Sequence, residues 1–257
     1  MMSIKSKLLA LLPHNAFLYR VCRRYVDSYH NENNDNIYTN GELRVMKTIL
    51  PKCATVFDVG ANVGDWTKLA LSINHTLQIH CFEPSAVTFQ RLQSCHFEGA
   101  VTLNNVGLSS IAGKQRLWVY FDGSGENSLY KRRGLEEGWG LMEQEQSEEV
   151  MLDTIDEYCR RHDVQVIDFM KIDVEGHELE VLKGAVGMLE LGKIKHIQFE
   201  YGGCNIDSRL FLKDLFDYLM PYNYSFYKIF PKELQHVSRY DQRLENFQYQ
   251  NWLVCKN

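Results

Sequence analysis

Val56-Phe57-Asp58-Val59-Gly60-Ala61-Asn62-Val63-Gly64-Asp65-Trp66 is an apolar strand-like run that enters a tight turn and passes at once into a helical pattern. Gly60 lets the chain reverse and lets a ligand approach backbone that carries no Cβ, and Gly64 lets the new helix pack close to the strand. The N–H groups exposed at that helix start favour a carboxylate or phosphate. The spacing is G-x-x-x-G, without the middle glycine of G-x-G-x-x-G, which makes close approach of a pyrophosphate harder. A turn of this kind also occurs in α/β proteins that bind nothing.

The same alternation extends on both sides. Strand-like runs at 55–59, 77–82, 101–106, 166–172 and 194–201 are interleaved with helical stretches at 65–72, 86–94, 177–191 and 208–220. Two further strands, 224–230 and 249–255, close the chain with no helix between them. The pattern predicts a doubly wound α/β fold with seven strands. The sheet is mostly parallel, has an antiparallel edge pair, and carries helices on both faces. Residues 1–30 show apolar positions at three- and four-residue spacing, with Lys5, Lys7, Arg20, Arg23 and Arg24 on the polar side. We expect a cap packed on the main domain; a basic amphipathic helix lying on an anionic membrane is the alternative. The polar stretch 31–40 resembles a linker, so the expected organisation is a 1–40 extension followed by one domain at 41–257. Within that domain the Gly-, Glu- and Gln-rich stretch 123–149 breaks the pattern and is expected to form a lid over the sheet's C-terminal edge.

Composition narrows the functional classes. With 28 Lys+Arg against 33 Asp+Glu the chain carries −5, which argues against a general nucleic-acid binder. Seven scattered cysteines with no C-x-x-C pair fit a reducing compartment better than a disulfide framework or zinc site. There is no run of about 18 apolar residues. The expectation is a cytoplasmic protein.

Glu83 sharpens the reading of the turn. It ends the second strand, nineteen residues after Gly64, just before Pro84. An acid there can accept both hydroxyl hydrogens of a ribose lying along the sheet edge, although it could equally cap the following helix. Turn and acid together point to a nucleoside-containing cofactor without separating NAD from S-adenosylmethionine.

Further stretches separate them. Phe82-Glu83-Pro84-Ser85, Asn105-Val106-Gly107-Leu108-Ser109 and Asp168-Phe169-Met170-Lys171-Ile172-Asp173-Val174-Glu175-Gly176-His177-Glu178 resemble the FkbM-type family of S-adenosylmethionine-dependent methyltransferases. Asn127-Ser128-Leu129 and Asp153-Thr154-Ile155-Asp156 resemble two more of its elements, and the likeness spans roughly 40–235. The departures are small: Met170 stands for the usual Leu and Ser85 for a frequent Pro. The resemblance implies a class I methyltransferase sheet and methyl transfer to oxygen, most often a hydroxyl of a sugar or natural product. It also implies that Gly60 to Gly64 runs under the methionine part, with Asn62 bonding its charged ends and Glu83 holding the ribose. Asn105 and Gly107 would border the adenine, and Asp58, Ala61 and Pro84 would complete the cofactor-binding set. An NAD-dependent oxidoreductase and a catalytically silent binding module are the competing readings. The missing middle glycine counts against the first, and the intact turn, Glu83 and Asp173 count against the second.

Asp173 follows a largely apolar strand run and is the leading catalytic candidate, as base, orienting group or cofactor-binding charge. Glu175 and Glu200 are further candidates, and His177 is a possible general base. Asp173, Glu175 and Glu200 on neighbouring strand ends would also suit Mg²⁺, with Asp173 and Glu200 foremost. Glu175 could instead serve as an acid at a helix N-terminus. Lys171, amid apolar neighbours, is expected to snorkel or pair with a carboxylate. Lys131, Arg132 and Arg133 would meet a phosphate if the acceptor carries one.

Overall fold

A computed structural model describes residues 14–120, 127–132 and 146–257 of the chain. In chain order, β1 (Thr55–Val59), β2 (Gln78–Phe82) and β3 (Ala100–Asn104) belong to a central sheet. Next, β4 (Gly107–Leu108), β5 (Gly113–Trp118) and β6 (Ser147–Asp153) form a separate three-stranded sheet. The central sheet resumes with β7 (Ile167–Ile172), β8 (Ile194–Tyr201), β9 (Tyr224–Ile229), β10 (Leu234–Val237) and β11 (Gln250–Lys256). Its order is β10-β9-β11-β8-β7-β1-β2-β3. The run from β3 to β8 is parallel, while β11 is inserted antiparallel between β8 and β9. The sheet therefore has eight strands, not the seven expected. The extra one, β10, pairs antiparallel with β9 at the edge, while the reversed strand β11 lies inside the sheet because it pairs with both β8 and β9.

The helices are α1 (Ala16–His30), α2 (Glu42–Ile49), α3 (Asp65–Ile73), α4 (Ala86–Gln93), α5 (Ile155–Arg161), α6 (Glu178–Lys183), α7 (Val186–Glu190), α8 (Cys204–Ser208) and α9 (Leu212–Leu219). Period-2 alternation on β1 splits the core. Phe57 and Val59 join Tyr158, Met170, Ile172 and Phe216 on one face of the sheet. Val56 joins Val45, Met46, Trp66, Phe169 and Leu253 on the other. The stretch 177–191 is not one helix: α6 and α7 are separated at Gly184, whose added Cβ would stand 2.1 Å from Ser109 O. Close approach of the Ser109 backbone breaks the expected element in two.

The N-terminal segment also differs from expectation. No residue of α1 is buried, so this part of the expected 1–30 cap does not pack on the domain; residues 1–13 lie outside the described residues. Residues 31–40 are not a loose linker either. Asn31, left-handed at φ 54°, ends α1 and donates from Nδ2 to Asn40 O and Ile229 O. The buried pair Lys228–Glu32 (3.1 Å) fastens the same segment to β9.

Sharp geometry concentrates after β1. Gly60 has φ +83°, and a Cβ added there would lie 1.8 Å from Asp173 O, because the chain leaving β7 crosses immediately above it. Its smallness thus serves chain-on-chain packing. Gly64 (φ +83°) is likewise closed in, by Leu92 Cδ1 at 2.7 Å and Phe97 Cζ at 2.8 Å. We predict that Gly60→Ala lowers unfolding stability by about 3 kcal/mol or more, since it combines a left-handed backbone with a backbone overlap. Urea denaturation checks this; a loss under 1 kcal/mol would show that the 59–62 and 172–174 segments separate easily.

Candidate active site

The C-terminal ends of β1, β2 and β7 face a cavity of about 700 Å³, part of it open to solvent. Val59, Gly60 and Asn62 line it from the turn after β1, Phe82, Glu83 and Pro84 from the end of β2, and Asp173, Val174 and Glu175 from the end of β7. The small sheet supplies an apolar wall: Gly107, Leu108, Leu117 and Leu152. Gly107 is what lets that wall close, because a Cβ there would lie 2.6 Å from Leu152 Cδ2 and 3.4 Å from Pro84 Cβ.

Glu83 is 7% exposed and anchored at both oxygens. Oε2 accepts Asn62 N–H (3.1 Å) and Oε1 accepts Ser85 N–H (2.9 Å). Burial pushes its pKa up to about 7, against the pull of those two N–H groups. Asn62 holds the left-handed turn (φ 46°), a conformation Asn tolerates better than most residues. Its Oδ1 is buried with no hydrogen-bond partner, an unsatisfied acceptor on a cavity-lining residue. Of the other expected cofactor residues, Ala61 is buried and donates its N–H to Phe82 O, while Asn105 donates from Nδ2 to Glu83 O and Pro84 O from outside the cavity. Asn105 thus supports the strand end and does not line the cavity. Gly64 does not line it either.

Beneath the cavity a polar row crosses the sheet. Asp58, Lys171 and Gln198 are register partners on β1, β7 and β8. Lys171 Nζ contacts Asp173 Oδ2 at 2.8 Å, the carboxylate pairing expected of it. Burial disfavours the ammonium, but the charges of Asp173, Asp58 and Glu200 outweigh that and hold its pKa above the usual lysine range. Asp58, wholly buried, accepts from Thr67 Oγ1 at 2.6 Å and is not among the cavity-lining residues. Burial raises its pKa, with Lys171 opposing. Glu200 also stands off the cavity, accepting from Tyr249 Oη at 2.9 Å. Burial first, and then the charge of Asp173, push it well above the carboxylate range.

Glu175 takes a left-handed backbone (φ 51°) and pairs with Arg132 at 2.7 Å, both side chains largely buried. Asp173, Glu175 and Glu200 are therefore engaged by Lys171, Arg132 and Tyr249 respectively, and do not converge on one point. Among the described residues no cluster of acidic, histidine and cysteine side chains is arranged to hold a metal ion. The Mg²⁺ expectation finds no ligand set there.

His177 stands apart from the cavity. Its Nδ1 meets Tyr130 Oη at 3.0 Å and its Nε2 meets Ser109 Oγ at 2.9 Å, so both ring nitrogens have protein partners. Burial lowers its pKa to about 4. Neutral and doubly bonded, it joins the 127–132 segment to β4 and the start of α6. The sequence marked Asn127-Ser128-Leu129 only as a likeness, but Asn127 and Leu129 line the cavity, and Ser128 Oγ donates to Glu175 O at 2.7 Å. Of the expected lid, residues 133–145 lie outside the described residues, as do 123–126.

A cleft at the carboxyl ends of parallel strands, with a buried acid after β2 and another acid after β7, is where open α/β sheets hold their ligands. Residues 58–226 match the family model described as the methyltransferase FkbM domain, and this chain belongs to that family. Its sheet is that of a class I methyltransferase, and the oxidoreductase reading is set aside. The chain is 32% identical over 155 residues to the hexuronic acid methyltransferase AglP of Haloferax volcanii, spanning 58% of this chain and 59% of that protein. It is 28% identical over 187 residues to the AMB antimetabolite synthetase AmbE of Pseudomonas aeruginosa, of which it covers 8%. A solved FkbM methyltransferase from Methylobacillus flagellatus is similar with a TM-score of 0.48 and 18% identity, over 79% of this chain and 43% of that one.

Because the folded pKa of His177 lies below the unfolded value, the folded state binds fewer protons between about pH 6.5 and 4, and stability is lost as pH falls through that window. We predict that His177→Gln costs about 1–3 kcal/mol at pH 7 and flattens this acid-side loss, while turnover stays within a few-fold. Thermal melts from pH 4 to 8 beside an activity assay check it; collapse of turnover with stability intact would restore His177 as a base.

Proposed function

We propose that this enzyme transfers a methyl group from S-adenosylmethionine to a hydroxyl of a sugar or related natural product. The observation that carries the cofactor assignment is the pairing of an unsatisfied buried acceptor, Asn62 Oδ1, with the anchored carboxylate of Glu83 across the same turn. Glu83 keeps lone pairs for two ribose hydroxyls, because each oxygen is committed to only one backbone N–H. Asn62 Oδ1 offers an acceptor to the ammonium of the methionine part. Phe82, Pro84, Leu108 and Leu152 give a flat base an apolar slot. When bound, the sulfonium supplies an electrophilic methyl group for in-line displacement.

The chain's own task is then to orient the acceptor and take its proton. Asp173 suits that task best, since it lines the cavity and Lys171 fixes one of its oxygens. Glu175, held by Arg132, closes the same side. An acidic sugar is the favoured substrate class. The Haloferax relative is named for a hexuronic acid, and in this chain Lys131, next to the Arg132–Glu175 pair, sits on the segment whose Asn127 and Leu129 line the cavity. Proton removal at Asp173 leaves the methylated oxygen as a neutral ether.

Calorimetry with S-adenosylhomocysteine tests the cofactor assignment. We expect Glu83→Gln to weaken binding at least tenfold, about 1.4 kcal/mol. Protons compete with ribose hydroxyls for Glu83 once pH falls below about 7, so wild-type affinity should drop from pH 8 to 6 while the variant stays flat. Equal binding by both proteins, or preference for NAD, overturns the assignment. For Asp173→Asn we expect turnover on a responsive sugar acid to fall about 100-fold or more, with homocysteine-ligand affinity nearly unchanged.

A further inference from the structure

α1 presents an amphipathic surface that the other described residues do not cover. At helical spacing Leu18, Val21, Cys22, Tyr25, Val26 and Tyr29 share one side, and Arg20, Arg23, Arg24 and Asp27 share the other. Leu18, Val21 and Val26 are each nearly half exposed, and Tyr25 and Tyr29 about two-thirds exposed. An apolar stripe of this size left in water marks a contact surface.

The helix is nevertheless built into the molecule at its base. Asn15 caps its start by accepting from Phe17 N–H and Leu18 N–H. At the far end Gln250 donates to His30 O, Asn33 N–H reaches Tyr249 O, and the Asn31 and Glu32 contacts with β9 fix its direction. It is an arm clamped at one end, with its length uncovered.

Charge identifies the occupant. Residues 1–30 hold five basic side chains and the single acid Asp27, whereas the whole chain carries −5. Basic charge is thus concentrated at this end of the sequence, and α1 itself sets Arg20, Arg23 and Arg24 against the single acid Asp27. Arginines on the polar side with tyrosines and aliphatics on the other fit the boundary between anionic headgroups and acyl chains. No helix among the described residues is long and apolar enough to cross a membrane, so such a helix would lie in the surface plane. A second copy fits less well. Fifteen residues make about 22 Å of helix, and a pair of that length falls short of the roughly 1,600 Å² a stable interface buries. Symmetric pairing would also bring two sets of three arginines together.

We infer that α1 is a membrane-surface anchor that docks this enzyme, apolar side down, on a bilayer rich in anionic lipid. The inference does not depend on which acceptor is methylated. Co-sedimentation of the full chain with phosphatidylglycerol/phosphatidylcholine vesicles tests it, beside pure phosphatidylcholine vesicles. We expect partitioning onto the anionic vesicles to be at least tenfold stronger and to weaken as salt rises. Leu18→Asp with Tyr25→Asp should abolish binding to both vesicle types. Arg20→Gln with Arg23→Gln and Arg24→Gln should remove only the anionic preference. Because none of these side chains is buried, the variants should keep the wild-type melting temperature and cofactor affinity. Wild type staying in the supernatant with anionic vesicles overturns the inference, as does undiminished binding by the apolar-side variant. Light scattering that shows a dimer, lost in that same variant without any vesicle binding, would assign the stripe to a second copy instead.

Discussion

The carboxylate of Glu83 is the point on which the site turns. It is buried where the first two strands end, and it ties the turn after β1 to the start of α4 through the N–H groups of Asn62 and Ser85. Removing a carboxylate from water is costly, and two backbone donors offset only part of the cost, so its pKa settles near 7. The consequences run outward. The turn must keep Asn62 left-handed to aim its N–H, and Gly60 must lack a side chain so that the backbone at Asp173 can pass over it. An isolated buried acid of this kind is a poor choice for stability alone, which is why it reads as a binding group.

A second constraint lies below. Asp173 and Asp58 are acids under or beside the cavity, and Lys171 is the buried cation that balances them. Gln198, Glu42, Asn251 and Tyr249 extend the polar row beneath β8 and β11 with hydrogen bonds. Such a network is costly when broken, since one missing partner leaves a buried charge uncompensated by about 3–5 kcal/mol. It holds Asp173 in place and keeps Glu200 away from the cavity.

The legible parts were local ones. The turn at 60–64, Glu83 and Asp173 sit where apolar strand runs end, and the chain's own period marks those ends. The small sheet was illegible because β5 and β6 carry mostly exposed polar residues such as Lys114, Gln115, Arg116 and Glu149, so no apolar run announces them. β10, with Gln235 and His236 exposed, lacks an apolar run for the same reason. His177 looked like a base because a histidine beside an acid-rich strand end has the right chemistry. Its Tyr130 and Ser109 partners come from segments 47 and 68 residues away, which no local reading reaches. The apolar stripe of α1 suggests a packed cap because such a stripe normally finds a partner within its own chain; among the described residues it finds none.

A crystal structure of the full chain with S-adenosylhomocysteine tests the account most directly. Both ribose hydroxyls should lie within hydrogen-bond distance of Glu83, with the amino group against Asn62 Oδ1 and the sulfur facing Asp173. Adenosine bound elsewhere, or a ribose that leaves Glu83 untouched, would contradict it.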